Sequence, residues 1–225
     1  SAPLILAALA GLFAERSGVV DIALEGKLLG AAFAAATVAA VSQSAWLGLA
    51  AGISFSVALS MIHAYACVTH KGDQVVSGMA INILVAGLGP TLALAWFRLG
   101  GQTPRVEGSG RFHPWHWPGA QALENTPIVG GLYSEVISGH NVIVYVALLT
   151  VPMTAWIIYK TRFGLRLRAV GESPEAVDTA GISVDRMRYQ ALIITGVLCG
   201  IGGTYLSIAQ NAGFLRNMSA GQGFI

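Results

Sequence analysis

The sequence from residue 75 to residue 97 reads VVSGMAINILVAGLGPTLALAWF, a run without a single charged side chain. The apolar core of a bilayer is about 30 Å thick, and a helix needs about 20 apolar residues to cross it. Only helices and closed barrels satisfy their backbone hydrogen bonds in lipid, and this run is continuous rather than alternating. The stretch therefore predicts a membrane-spanning α-helix.

Similar apolar runs lie on both sides of this span, and together they predict six crossings. The first two are short, and the runs cover residues 4–14, 28–41, 46–68, 75–97, 142–159 and 189–209. We therefore expect an all-α, polytopic transmembrane helical bundle, formed as a single domain over residues 1–225. The chain begins at Ser1 rather than Met and stops within an unfinished stretch at Ile225, so we expect it to be shortened at both ends.

Composition supports a membrane protein and argues against several other classes. Of the 225 residues, 54% are hydrophobic and 11% charged, whereas soluble domains carry about 25% charged residues. The net charge of +2 does not suggest nucleic-acid binding. The sequence has no phosphate-binding G-x-x-x-x-G-K-[ST] loop and no H-E-x-x-H or G-x-S-x-G motif. We therefore predict no ATP hydrolysis by this chain, no catalytic residues, no metal and no cofactor.

The positions of basic residues predict the orientation of the bundle, because cytoplasmic loops carry an excess of Lys and Arg. Alternating crossings assign nine basic residues to one side and four to the other. The richer side is Arg16, Lys27, Lys71, Lys160, Arg162, Arg166, Arg168, Arg186 and Arg188, and the poorer side is Arg98, Arg105, Arg111 and Arg216. The loop 160–188 is thus predicted to be cytoplasmic, and the loop 99–140 extracytoplasmic.

A short helix is predicted within the cytoplasmic loop. Ser173 is a good N-cap residue, Pro174 suits the first helical position, and Glu175 complements the positive end of the helix dipole. Gly181 is placed to end the helix in a left-handed conformation. Such a helix is either part of an ordinary connecting loop or a docking element for a soluble partner.

The loop resembles a known family at the level of its residues. The stretch FGLRLRAVGESPEA at 163–176, followed by AGI at 180–182, is similar to the cytoplasmic loop of ABC importer permeases. The nearest branch is the branched-chain amino acid/simple-sugar permease superfamily, and within it the nucleoside and simple-sugar permeases. The resemblance implies a coupling helix that docks on an ATPase subunit. Its residues would be Arg166, Arg168, Glu172, Ser173, Pro174, Glu175, Ala176, Asp178 and Gly181.

Two further stretches carry the resemblance and the candidate translocation pathway. The stretch ERSGVVDIALEG at 15–26 resembles a family signature that usually has Asn where Asp21 stands, and GDQVVSGMAIN at 72–82 resembles another. The four pathway candidates are Asp21, Glu25, Ser77 and Asn82.

Each of these candidates has a second interpretation that is structural. Asp21 and Glu25 are four residues apart and would share one face of a helix, which either breaks to line the pathway or forms a capped turn in which Arg16 neutralises an acid. Asn82 either bonds a neighbouring helix or contacts solute.

The function expected from the resemblance is import of a nucleoside or simple sugar across the bacterial cytoplasmic membrane. The implied partners are an ATP-binding cassette ATPase, a solute-binding lipoprotein or periplasmic protein, and a second permease subunit in a homodimer or heterodimer. One alternative is a secondary transporter in which Asp21 and Glu25 carry a coupling ion. Another is a membrane enzyme that uses His113, His116 and acidic residues.

Overall fold

The computed structural model describes residues 2–115 and 140–224, and these form a bundle of helices. In chain order the helices are α1 (Ala2–Arg16), α2 (Leu24–Ser42), α3 (Ala45–Ala64), α4 (Gln74–Phe97), α5 (Val142–Lys160), α6 (Arg162–Glu172), α7 (Pro174–Thr179) and α8 (Val184–Thr204). Single π-helical turns extend α3 over Tyr65–Thr69 and α8 over Tyr205–Gln210. A two-residue antiparallel pair joins β1 (Pro114–Trp115) to β2 (His140–Asn141).

Five helical segments in the described part of the chain are long and apolar enough to cross a membrane. They are Leu24–Ser42, Ala45–Thr69, Gln74–Phe97, Val142–Lys160 and Val184–Gln210. The predicted helical bundle is therefore confirmed. The first of the six predicted runs forms the 15-residue helix α1, and the other five reach the length of a membrane span.

The helical structure is interrupted between α1 and α2, where residues 17–23 are not helical. Gly18 has φ +77°, a conformation that costs glycine little and other residues more. Asp21 lies inside this break, and Glu25 lies in the first turn of α2. The two carboxylates therefore do not share one helical face, because the helix begins at Leu24, after Asp21.

Helix α8 lies at the centre of the bundle and packs on α3, α1 and α2. Its contact with α3 depends on small residues. A Cβ added to Gly200 would lie 2.6 Å from Ile53 Cα, and one added to Gly196 would lie 2.9 Å from Val57 Cα. Neither glycine has space for a side chain, and glycines at this four-residue spacing let the two helices approach closely.

Replacing Gly200 with alanine should lower the free energy of unfolding by about 1–3 kcal/mol, because the added methyl forces two helix backbones apart. The matched control is Gly87→Ala in α4, where an added Cβ meets no atom within 4 Å. Alanine has the higher helix propensity, so the control should be neutral or mildly stabilising. Thermal unfolding in detergent micelles measures both variants. Equal unfolding midpoints would contradict the close α3–α8 contact.

The two predicted sets of loops lie at opposite ends of the bundle. At one end the hydroxyls of Thr69 and Tyr189 are 2.6 Å apart, and α6 and α7 lie at this end with Gly18 against Gly171. At the other end Ser109 Oγ donates to the carbonyl of Gln43 at 2.7 Å. We call these the α6–α7 end and the opposite end.

Lys27 corrects the count of basic residues in the loops. It was assigned to a loop, but it lies in the first turns of α2 and is 0% exposed. The excess is therefore eight basic residues against four, and the predicted direction of the bias does not change.

Only the two ends of the predicted loop 99–140 belong to the described residues. Residues 103–106 run beside 212–214, where Val106 N donates to the carbonyl of Ala212 at 2.8 Å. His113 Nε2 lies 2.9 Å from the carbonyl oxygen of Gly108. His116, the other histidine of the enzyme hypothesis, lies outside the described residues.

Candidate functional site

The predicted short helix in the loop 160–188 is present as α7, Pro174–Thr179, and Pro174 occupies its first turn. Gly181 has φ +79°, and its N–H donates to the carbonyl of Asp178 at 2.9 Å. The predicted start and end of the helix are thus confirmed.

The predicted hydrogen bond of the Ser173 hydroxyl is wrong, because that side chain makes no capping hydrogen bond. Ser173 also closes the preceding helix, since its N–H donates to Ala169 O at 2.9 Å. Ser173 is thus the C-cap of α6 and the N-cap of α7, and its φ of −148° and ψ of 81° are not helical. The two helices are therefore separated by this one residue.

Helix α6, Arg162–Glu172, was not predicted from the sequence. Thr161 caps it, with its hydroxyl oxygen accepting the N–H of Gly164 at 3.1 Å. The helix buries Gly164, Leu167 and Val170 on one face. The spacing of these residues at i, i+3 and i+6 is the pattern of an amphipathic helix, so the sequence does carry a signal for α6.

Helix α7 is attached to the bundle through one side chain. Val177 is 7% exposed and packs in an apolar cluster with Leu167, Val170 and Met187 of α6 and α8. The remaining predicted coupling residues of this region are exposed on the surface or, for Pro174, half-buried: Glu172, Ser173, Glu175, Ala176, Asp178 and Gly181. The arrangement presents a short acidic helix, joined to the membrane helices by an apolar contact.

The two predicted basic residues of α6 differ in their surroundings. Arg166 is exposed. Arg168 lies with its guanidinium 5.3 Å from the centre of the Tyr159 ring, so it packs on the end of α5. The aromatic face attracts the cation and holds α6 against that helix.

A buried ion pair occupies the break between α1 and α2. The ammonium of Lys27 donates to Asp21 Oδ2, and neither side chain has exposed surface. Asp21 Oδ1 also accepts the N–H of Ala23 at 3.1 Å. The predicted alternative in which Arg16 neutralises an acid is wrong, since Lys27 is the partner of Asp21 and Arg16 is exposed.

His63 connects this pair to α3 and α4. Its Nε2 lies 3.8 Å from Asp21 Oδ1, and its Nδ1 lies 3.1 Å from the Ser77 hydroxyl. His63 is 0% exposed. Sequence reasoning missed both His63 and Lys27. The available signal was a lone ionisable residue inside an apolar run, which in a membrane requires a partner.

Asn82 bonds the α2 segment with both ends of its amide. Its Oδ1 accepts the N–H of Gly26 at 2.7 Å, and its Nδ2 donates to the carbonyl of Ile22 at 2.9 Å. The N–H of Gly26 belongs to the first turn of α2, where backbone donors have no partner within the helix. Asn82 therefore caps α2 from α4, as the structural interpretation of this residue expected.

Glu25 holds the segment that follows α8. Its Oε1 accepts the Ser219 hydroxyl at 2.6 Å and the N–H of Gly221 at 2.9 Å, and its Oε2 accepts the N–H of Gly223 at 2.7 Å. Residues 211–224 therefore leave the end of α8, pass Gly89 at Phe214, and return into the bundle to reach α2.

The structure brings Asp21 and Ser77 into one polar cluster and gives Glu25 and Asn82 separate partners. A cavity of about 230 Å³ lies beside the break and is lined by Gly11, Glu15 and Phe224 among others. Asp21 contributes to this wall, but its side chain has no exposed surface. In this conformation Asp21, Glu25 and Asn82 bond groups of the broken helix or of the segment beside it, and Ser77 contacts His63.

Comparison with known proteins places this geometry in context. The family model described as "Branched-chain amino acid transport system / permease component" matches residues 1–225. A nucleoside ABC transporter permease protein of Lactococcus lactis, NupC, is 33% identical over 100% of this chain and 70% of its own length. A guanosine ABC transporter permease protein of Bacillus subtilis, NupQ, is 36% identical over the same shares.

A third relative comes from an archaeon. The putative glucose ABC transporter permease protein TsgC13 of Haloferax volcanii is 34% identical over 99% of this chain and 64% of its own length. The comparison with solved structures found no match.

Proposed function

Because the chain belongs to the branched-chain amino acid transport system permease family, we propose that it is the membrane-spanning permease subunit of an ATP-binding cassette importer. A partner ATPase hydrolyses ATP, and a solute-binding lipoprotein or periplasmic protein delivers solute. A second permease subunit completes the pathway, in the cytoplasmic membrane of a bacterium. The α6–α7 end faces the cytoplasm.

The observation that carries this proposal is the exposed helix α7, whose one buried side chain, Val177, packs against the bundle. A partner that binds α7 and displaces it also displaces α6 and α8, because Val177 of α7, Val170 of α6 and Met187 of α8 pack in one cluster. Helix α8 in turn packs on α1, α2 and α3. Close packing transmits such a displacement, since a packed interior is not easily compressed. A nucleotide-driven motion of the ATPase thereby reaches the helices around the break.

Hydrogen-bonding neutral solutes fit the electrostatics of the bundle. The charge of Asp21 is compensated by Lys27, and both carboxylate oxygens of Glu25 accept hydrogen bonds from the 219–223 segment. Asp21 is thus paired with a cation, and the Glu25 carboxylate is occupied by hydrogen bonds from neutral donors, so neither group is free to bind a charged solute. We therefore propose nucleosides or simple sugars, in keeping with the names of the relatives. Uptake by the reconstituted importer should be competed by nucleosides or hexoses, and competition by leucine alone would contradict this assignment.

Among the described residues, no contact favours a secondary transporter. Such a mechanism needs a carboxylate that exchanges its partner for a coupling ion, yet Glu25 is held by three donors and Asp21 by Lys27. ATP-dependent uptake that persists after the membrane gradient is collapsed supports the importer. Gradient-driven uptake in the absence of the ATPase would contradict it.

The docking role of α7 is tested by the double variant Glu172→Lys with Ala176→Arg. Both residues are exposed, so folding should be unchanged, while the negative charge of the docking surface is neutralised. We expect at least a tenfold loss of ATPase association and of solute-stimulated ATP hydrolysis in proteoliposomes.

The matched control for this test is Glu107→Lys with Gln102→Arg, which makes the same change of charge at exposed positions of the opposite end. It should leave ATPase association unchanged. If the α7 variant also binds the ATPase normally and transports at the normal rate, α7 is not the coupling helix.

A further inference from the structure

An apolar groove lies on the membrane side of the α6–α7 end, outside the docking helix. It has a volume of about 420 Å³ and is lined by Ile157 of α5, Phe163 of α6, and Gln190, Ile193 and Ile194 of α8. Ile193 is 40% exposed. The groove continues the exposed apolar surface of α5, which includes Met153 and Trp156. Its occupant is therefore expected to contribute an apolar chain.

The rim of this groove is strongly basic. Residues 142–171 contain four basic side chains and no acidic one. Arg168 packs on Tyr159, whereas Lys160, Arg162 and Arg166 are exposed. No salt bridge in the described part of the chain uses these three. The rim therefore offers three cations for an anionic group.

Helix geometry places the cations beside the groove. Arg162 and Arg166 are four residues apart and share one face of α6, and Phe163 lies three residues before Arg166, next to that face. Leu165 on α6 is 62% exposed, as expected of a helix that lies at the interface between lipid and water. Long basic side chains at such positions keep their stems in apolar surroundings and their charges at the headgroups.

We propose that this groove binds one anionic phospholipid of the leaflet at the α6–α7 end. An acyl chain occupies the space between Ile157, Phe163 and Ile193, and Arg162, Arg166 and Lys160 hold the phosphate. An anionic lipid accounts for both the apolar groove and the basic rim. A second protein copy would account for the apolar groove alone. The ATPase is less suited to the site. Its proposed docking partner is helix α7 of this chain, which carries the acidic residues Glu175 and Asp178, whereas the rim of the groove is basic. The lipid site requires only that the bundle lies in a membrane, and it does not depend on ATPase coupling.

The test uses the permease purified in detergent, supplied with phosphatidylglycerol or phosphatidylcholine and examined by native mass spectrometry. We expect the wild-type protein to retain phosphatidylglycerol at least fivefold more than phosphatidylcholine. The variant Arg162→Gln with Arg166→Gln should lose this preference and retain both lipids equally. Arg105→Gln with Arg216→Gln, a matched change at exposed residues of the opposite end, should keep it.

A second variant tests the groove independently of charge. Ile193→Trp places a larger ring in the groove, and it should lower retention of both lipids while the unfolding temperature stays within a few degrees of wild type. Equal retention of the two lipids by the wild-type protein would overturn the proposal. So would unchanged retention in the Arg162→Gln/Arg166→Gln variant, or a dimer that dissociates when Ile193 is replaced.

Discussion

Replacing Lys27 with methionine is expected to lower the free energy of unfolding by about 3–5 kcal/mol, because the Asp21 carboxylate then stays buried without its cation. Neither side chain of this pair has exposed surface, so water cannot take the place of the ammonium. His63, 3.8 Å from Asp21, is too far away to replace the hydrogen bond. Thermal or denaturant unfolding in detergent micelles measures the loss.

The double variant Asp21→Asn with Lys27→Met distinguishes the energy of the ion pair from other effects of replacing Lys27. Removing both charges together is often neutral or stabilising, so the double variant should recover most of the lost stability. The coupling energy from the full double-mutant cycle should be well above 1 kcal/mol. Lys71→Met, at an exposed lysine of the same end, is the control and should change stability by less than about 0.5 kcal/mol. A double variant as unstable as Lys27→Met would show that the pair is not the relevant contact.

Replacing Glu25 with alanine is expected to release the segment 217–223 from the bundle. The Ser219 hydroxyl and the N–H groups of Gly221 and Gly223 lose their acceptor. The donors of Ser219 and Gly223 are buried, and each costs about 1–3 kcal/mol when left unsatisfied. A loss of about 2.7 kcal/mol or more corresponds to local opening that is about 100-fold more frequent. Hydrogen exchange at the amides of Gly221 and Gly223 should accelerate by at least that factor.

Two comparisons locate this effect at the carboxylate. Ser219→Ala removes only one of the three donors and should accelerate exchange by about tenfold, which matches about 1.4 kcal/mol. The amide of Gly200, within α8, should exchange at the wild-type rate in both variants. Unchanged protection at Gly223 in Glu25→Ala would mean that the segment is held by other contacts.

Local chemistry made the membrane helices and α7 predictable from the sequence. The run 75–97 has no charged side chain and appears within α4, with Asp73 capping the first turn by accepting the N–H of Val75 at 2.8 Å. Pro174 and Gly181 mark the two ends of α7. These signals act over one or two turns, so neighbouring residues suffice to read them. Helix α6 was missed although its signal was equally local.

The polar residues of the candidate pathway could not be assigned in this way. Sequence alone left Asp21, Glu25 and Asn82 each with a functional and a structural interpretation. Their partners are Lys27, the 219–223 segment and the N–H of Gly26. The Glu25–Gly223 contact spans 198 positions in the chain, and the Asn82–Gly26 contact spans 56. Sequence spacing carries no information about such contacts.

The amino-acid sequence by itself determined that this chain is a helical membrane protein with a short capped helix in a basic loop, because hydrophobic length and helix caps are properties of consecutive residues. The tertiary structure alone decided which buried groups contact one another. Lys27 lies in α2 and neutralises Asp21, and Glu25 binds the segment 219–223 that follows α8. The physical reason is that a buried charge must find a partner, and packing of distant segments selects that partner.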